Sequence, residues 1–356
     1  MTEGAAARAG TGSPHGVDSN SGRLDAFLRD RFPELSGRMS VERTVGGMSN
    51  PTYFITYNDW SVVLRKQPDS TLLRSAHSID REFRVLSALQ GSAVPVPKPI
   101  LYCTEPDIVG TPFYLMERLR GRVFSDNSLP TLEAPARLGC YESMCRTLAA
   151  LHAFDWRAAG LADYGRPGNY FQRQLSRWSQ QWQQFRSDDN PYVDRLIDWL
   201  QDKVPPSDAV TLCHGDFRIA NLMFHPTEPR VIGVLDWELS TLGHPLADVA
   251  FNLQAWRMTP DENGGIRGLD LQAAGIPTEE RYLQSYYLYS GLRERLEPFH
   301  IAFAMFRAAV GSAGVAARGA AGNAVEPAVA AVARHLAIAY AKRGVEAIAG
   351  AAAGAG

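Results

Sequence analysis

Asp216, Asn221 and Asp236 fall within one stretch, Leu212 to Trp237, at intervals that suit a hard metal ion. Between the last two lie two short apolar runs, Leu222 to Phe224 and Val231 to Leu235, joined by the polar, proline-bearing turn His225 to Arg230. Runs of that length flanking such a turn predict a β-hairpin. In an antiparallel pair the first residue of one strand lies beside the last of its partner. Asn221 and Asp236 therefore meet at the open end of the hairpin, with Asp216 on the loop just before it. Two carboxylates and an amide oxygen, with no cysteine or histidine pair among them, are the oxygen donors Mg²⁺ prefers. Asp and Asn also serve as local caps on ordinary turns, so the reading depends on agreement with residues upstream.

Phosphoryl transfer asks a protein for Mg²⁺ bridging the phosphates and a carboxylate that orients or deprotonates the attacking hydroxyl. Protein kinases meet this with an Asp, an Asn shortly after it and a later Asp following a strand. The order and the first interval are the same here. His214-Gly215-Asp216 with Asn221, followed by Leu235-Asp236-Trp237-Glu238, resembles the aminoglycoside phosphotransferase and choline kinase superfamily. Within it the chain is similar to the kinase-like domain that some acyl-CoA dehydrogenases carry at their N-terminus, and to that domain's free-standing bacterial relatives. The resemblance runs from about Leu24 to Tyr340 and is sharpest around the hairpin. It implies an α+β, bilobal, protein-kinase-like fold. A small β-rich N-lobe would hold one helix, and a larger, mostly helical C-lobe would carry the catalytic hairpin. It further implies Asp216 as catalytic base, Asn221 and Asp236 as magnesium ligands, ATP as donor and a small-molecule hydroxyl as acceptor. His214 would brace the catalytic loop; taken alone it is a structural histidine.

The N-terminal third supplies the elements that would hold the nucleotide. Strands are expected over Met39 to Val45, Tyr53 to Tyr57 and Ser61 to Arg65, with turns at Gly46-Gly47-Met48-Ser49-Asn50-Pro51 and Asn58-Asp59. Adjacent glycines let backbone amides approach phosphate oxygens, yet a Gly-Gly turn is also an ordinary hairpin connection. The family resemblance makes Gly46, Gly47, Ser49 and Asn50 the loop over the triphosphate, with Ser49 and Asn50 at its tip. Ser78 to Gln90 reads as a helix whose apolar stripe (Val85, Leu86 and Leu89) runs through Glu82. A carboxylate facing a core needs a cation, and the strand ending Leu64-Arg65-Lys66 offers two. Alternation sends Arg65 and Lys66 to opposite faces. Arg65 is favoured, because its fork can hold phosphate and Glu82 together; a bulge would bring Lys66 instead. Kinases carry lysine at the position of Arg65. Phe113 to Glu117 is a strand, and by resemblance backbone groups of Glu117 and Leu119 would hydrogen-bond adenine at the hinge between lobes.

Composition bounds the rest. The chain has 356 residues, 45% of them hydrophobic, and a net charge of −2, enough core for two lobes and no basic stripe for nucleic acid. The expected organisation is a disordered leader 1–22, an N-lobe 23–117, a C-lobe 118–345 and a flexible tail 346–356. Arg307, Arg318 and Arg334 interrupt the apolar stretches, so no membrane span is expected. Cys103, Cys140, Cys145 and Cys213 lack metal spacing and read as reduced thiols of a cytoplasmic protein. Phe171, Leu175, Trp178, Trp182 and Phe185 form a helical stripe that reads as core, as do Tyr286, Tyr287 and Tyr289. Asp248 reads as a loop anchor.

Charge also bears on the acceptor. From Trp256 to Gly356 nine Asp and Glu face ten Lys and Arg. That balance offers no trough for a polycation, so an uncharged or anionic alcohol is expected, and the dehydrogenase resemblance points to a hydroxyacyl or hydroxy-acid compound. The alternative is a nucleotide-binding pseudokinase or scaffold, suggested by arginine in place of lysine.

Overall fold

The computed structural model describes residues 17–44, 50–68, 79–186, 189–206, 209–320 and 326–353. They form two compact units. The first takes in residues up to 90 together with 96–120, and the second takes in 91–95 and everything from 121 onward.

In the first unit the elements are α1 (Ser21–Arg31), β1 (Ser40–Arg43), β2 (Thr52–Thr56), β3 (Ser61–Lys66), α2 (Ile79–Leu89), β4 (Pro99–Cys103), the single turn α3 (Pro106–Val109) and β5 (Phe113–Glu117). The strands make an antiparallel sheet in the order β1-β2-β3-β5-β4. Alternation along β3 decides what each face carries. Val62 and Leu64 join Leu24 and Leu28 of α1 and Val109 of α3 in the core cluster. Arg65 points the other way, toward α2, which buries Val85, Leu86 and Leu89 beside Glu82. The unit therefore holds α1 and α3 as well as the one helix expected. The stretch expected to be a leader is ordered from Val17, whose side chain is fully buried and leads a 3₁₀ turn into α1. Gly46, Gly47 and Ser49 lie outside the described residues.

The second unit contains β6 (Arg122–Val123), α4 (Ala134–Ala153), α5 (Tyr170–Gln184), α6 (Pro191–Asp202), β7 (Thr211–Cys213), β8 (Leu222–Phe224), β9 (Val231–Val234), β10 (Thr241–Gly243), α7 (Pro245–Asn252), α8 (Gln254–Arg257), α9 (Leu271–Ala274), α10 (Glu279–Ser290), α11 (Pro298–Ala320) and α12 (Pro327–Ala353). Two small sheets, β6-β8-β9 and β10-β7, carry the site, and helices supply the rest. The hairpin forms as expected, with Leu222 opposite Val234 and Met223 opposite Gly233. Pro95 accepts the Val234 N–H at 2.8 Å, which is why 91–95 belongs with this unit. The division falls after Arg120 rather than after Glu117, because Arg122 and Val123 pair with β8.

Helix α11 is long and apolar enough by length and composition to cross a membrane, despite Arg307 and Arg318. Yet 67% of its most apolar 18-residue window is buried within the protein, and the helix packs against α5, α6, α7 and α12. One expectation is corrected here: the tail expected to be flexible from 346 onward is helical as far as Ala353. Phe171, Leu175 and Trp182 are core, as the stripe predicts, and so is Tyr286, whereas Trp178, Phe185, Tyr287 and Tyr289 are only half-buried.

Candidate active site

The chain reaches the hairpin through β7, and the loop between them carries Asp216. A 3₁₀ turn, Ile219–Asn221, delivers Asn221 to the start of β8. Asn221 is buried, and its Nδ2 donates to both the main-chain carbonyl and Oδ2 of Asp216, each at 2.8 Å. With both amide hydrogens committed to Asp216, the carbonyl oxygen is the atom Asn221 has for a cation. Arg218 Nε lies 3.3 Å from the other Asp216 oxygen, and the Asp216 side chain stays 18% exposed. At the same open end of the hairpin, on the partner strand's side, Leu235 donates its N–H to the Asn221 carbonyl at 2.9 Å. Asp236, the next residue, has φ 64° and ψ 64°. A left-handed aspartate costs free energy that its surroundings must offset, and such residues cluster at functional sites. The structure thus brings the backbone of Asp216, Asn221 and Asp236 together at one end of the ribbon.

The loop is braced from several directions. His214 Nδ1 accepts the Asp216 N–H at 3.2 Å, which leaves the ring proton on Nε2, 2.8 Å from the Leu235 carbonyl. Asp248, at the start of α7, accepts the N–H groups of His214 and Gly215, at 2.5 and 2.8 Å. Arg307 of α11 donates to the Gly215 carbonyl, and its guanidinium lies over the Phe251 ring. Gly215 must be glycine: its φ is +84°, and a Cβ there would stand 2.4 Å from the Leu239 carbonyl oxygen. Behind Asp248, His152 sits 3.5 Å away and shares a 2.6 Å hydrogen bond with Tyr286. Burial pushes the Asp248 carboxyl up, but His152, His214 and the Gly215 amide together hold it below its ordinary range. His152, Cys213 and Asp248 are close enough to suggest a metal centre. The Asp248 oxygens are already spent on two amides, and burial keeps the Cys213 thiol protonated, donating to the His244 carbonyl at 3.4 Å. The cluster is therefore a hydrogen-bonded brace.

In the first unit Glu82 is 1% exposed and fully engaged. Arg65 Nε lies 3.0 Å from its Oε2, Tyr114 donates to the same oxygen at 3.0 Å, and Asn50 donates to Oε1 at 2.6 Å. Strand register accounts for the convergence: Arg65 sits opposite Thr52 on one side and Tyr114 on the other, and Asn50 shares the parity of Thr52. Asn50 is thus a buried partner of Glu82, not the tip of a loop. Lys66 is turned to the opposite face, where Nζ donates to the Val109 carbonyl at 2.9 Å. The Glu117 N–H is taken by the Lys98 carbonyl at 2.8 Å, while Leu119 follows in irregular backbone.

Comparison with known proteins places this geometry in context. Residues 40–294 match the model of the phosphotransferase enzyme family. Acyl-CoA dehydrogenase family member 10 of Mus musculus is 42% identical over 305 residues, covering 85% of this chain and 28% of that protein. Family member 11 of Gallus gallus is 40% identical over 315 residues, covering 86% of this chain and 40% of that protein. The chain therefore spans well under half the length of either relative. A crystal structure of a Ralstonia eutropha protein, assigned to the aminoglycoside phosphotransferases, superposes with a TM-score of 0.83 at 41% identity, covering 92% of this chain and 97% of that one. The GDP complex of aminoglycoside 2′-phosphotransferase-IIIa shares the fold at 17% identity, with a TM-score of 0.62 and coverage of 91% and 99%.

Proposed function

The chain belongs to the phosphotransferase enzyme family, and on that premise we propose that it moves the γ-phosphate of ATP to a hydroxyl of a small molecule. One observation carries this reading. Asn221 ties its side-chain amide to Asp216, while its main-chain carbonyl accepts the N–H of Leu235, the residue before the strained Asp236. The donor set fits Mg²⁺, since a carboxylate and an amide oxygen are hard ligands and Asp236 is held in a conformation it would not adopt unaided. Asn221 and Asp236 would hold the ion, which supplies neutralising charge to the phosphates.

Asp216 has the position of the base. It would orient the acceptor hydroxyl and take its proton as the oxygen attacks phosphorus, the β–γ bridge oxygen leaving with ADP. Arg65, held by Glu82, would engage phosphate oxygens. The acceptor is read as an uncharged or anionic alcohol. A hydroxyacyl or hydroxy-acid compound is the first choice, given the kinship with acyl-CoA dehydrogenase family members. A screen for ATP- and Mg²⁺-dependent phosphorylation over a metabolite library containing hydroxyacyl thioesters, hydroxy acids and amino sugars tests the proposal. Transfer to a member of the first two classes is expected. Tight ATP binding with no transfer to any compound would instead identify a pseudokinase.

A further inference from the structure

A pocket of about 60 Å³ opens beside the catalytic loop, within the second unit. Arg218, Ile219 and Ala220, two to four residues after Asp216, line it together with Asn252, Gln254 and Trp256 of α7 and α8. That volume admits a few water-sized groups, enough for the head of a substrate. Arg218 is the sole charged side chain lining it among the described residues.

Asn252 is the informative member. It is 4% exposed, and its Nδ2 donates to the Phe217 carbonyl at 3.2 Å, but its Oδ1 is buried with no hydrogen-bond partner. A buried acceptor without a donor is costly, and one that lines a pocket calls for a partner from outside the chain, a ligand group or an ordered water. The other amides along the wall are engaged: Gln254 donates to the Ala304 carbonyl, Asn127 to the Gly264 carbonyl, and Asn263 to the Tyr340 hydroxyl. The unmet valence thus sits in a polar recess bounded by the residues that follow the base.

We propose that this pocket is the acceptor subsite, and that Asn252 Oδ1 selects an alcohol bearing a second hydrogen-bond donor, a hydroxyl or an amide N–H. The inference rests on the phosphotransferase reading of Asp216. Arg218, with only its Nε engaged by Asp216, disfavours a cationic head and suits a neutral or anionic one.

The test uses the full chain with Mg²⁺ and the non-hydrolysable analogue AMP-PNP, and a panel of hydroxylated fragments scored by saturation-transfer NMR. The panel pairs each diol and hydroxy-amide with its O-methyl or N-methyl derivative, so that hydroxyl and amide donors are told apart. Unmethylated fragments should bind, methylation should abolish binding, and Asn252→Leu should weaken it about tenfold or more, the worth of one such hydrogen bond. Nucleotide affinity should change less than about twofold. Ala255→Trp, which fills the pocket from α8 and leaves Asn252 in place, should also remove fragment binding and carries the test if Asn252→Leu does not fold. Absence of bound fragments, or equal binding by parent and variants, overturns the subsite. Loss of nucleotide binding in the parent itself would overturn the phosphotransferase reading instead.

Discussion

Glu82 and Asp216 are both carboxylates held by neighbours, but they are held to opposite ends. Around Glu82 every oxygen is occupied by a group from the sheet face that α2 covers, and the side chain is closed to solvent. Around Asp216 the partners fix direction while leaving the carboxylate part exposed, beside a strained aspartate and an asparagine with a carbonyl oxygen to offer. A closed cluster contributes a rigid part. An open one keeps valences for a ligand. Removing a residue from the first should therefore cost stability, and removing one from the second should cost turnover.

The largest contrast is expected at the open cluster. Asp216→Asn should lower turnover about 10²–10⁴-fold, the usual worth of a positioned general base, with nucleotide affinity and melting temperature close to those of the parent. Steady-state kinetics and calorimetry on the same preparation check it; equal turnover rules out the role. At the closed cluster the reverse is expected. Arg65→Met strands a buried carboxylate, which costs about 3–5 kcal/mol, read as a lower denaturation midpoint, and it should also weaken nucleotide binding. Lys66→Met, on the opposite face, should leave nucleotide affinity unaltered. If Lys66→Met weakens nucleotide binding and Arg65→Met does not, the assignment of faces is wrong.

Smaller effects sharpen the comparison. Helix α11 carries both Arg307, which holds the Gly215 carbonyl, and His300, which is fully buried among Phe171, Phe299 and His244. Burial first, and then the neighbouring His244, push the His300 imidazole down from 6.5 to about 4. A depressed folded-state value means the stabilisation is complete above the unfolded value near 6.5 and is lost as pH falls toward 4. The loss should be about 3 kcal/mol over that window. Urea unfolding at several pH values should show that slope in the parent and a shallower one in His300→Leu. Gly215→Ala should cost about 1–3 kcal/mol through backbone strain, with a further fall in turnover because the carbonyl held by Arg307 must move.

What was legible in the sequence follows the same division. The hairpin and the convergence of Asp216, Asn221 and Asp236 depend on short spacing and antiparallel register, both readable from local pattern. The opposite facing of Arg65 and Lys66 follows from alternation, yet which face held α2 required the tertiary packing of α1 and α3. The family resemblance puts Asn50 at a loop tip; its burial against Glu82 depends on how α2 packs on the sheet, which no local pattern shows. Arg307 looked like an interruption in an apolar run; a lone charge in such a run is also the signature of a buried group with a fixed partner, here the Gly215 carbonyl. The pocket beneath the loop was invisible, because its walls come from segments between Ser125 and Tyr340 that no local pattern connects.

Whether the open cluster binds metal is the central claim, and titration calorimetry of ATP with and without Mg²⁺ tests it directly on the parent and on Asp236→Ala. Mg²⁺ should tighten ATP binding to the parent by about tenfold or more, and that enhancement should vanish in the variant while metal-free binding persists. An equal enhancement in both proteins would contradict the account, because Asp236 would then have no part in holding the ion.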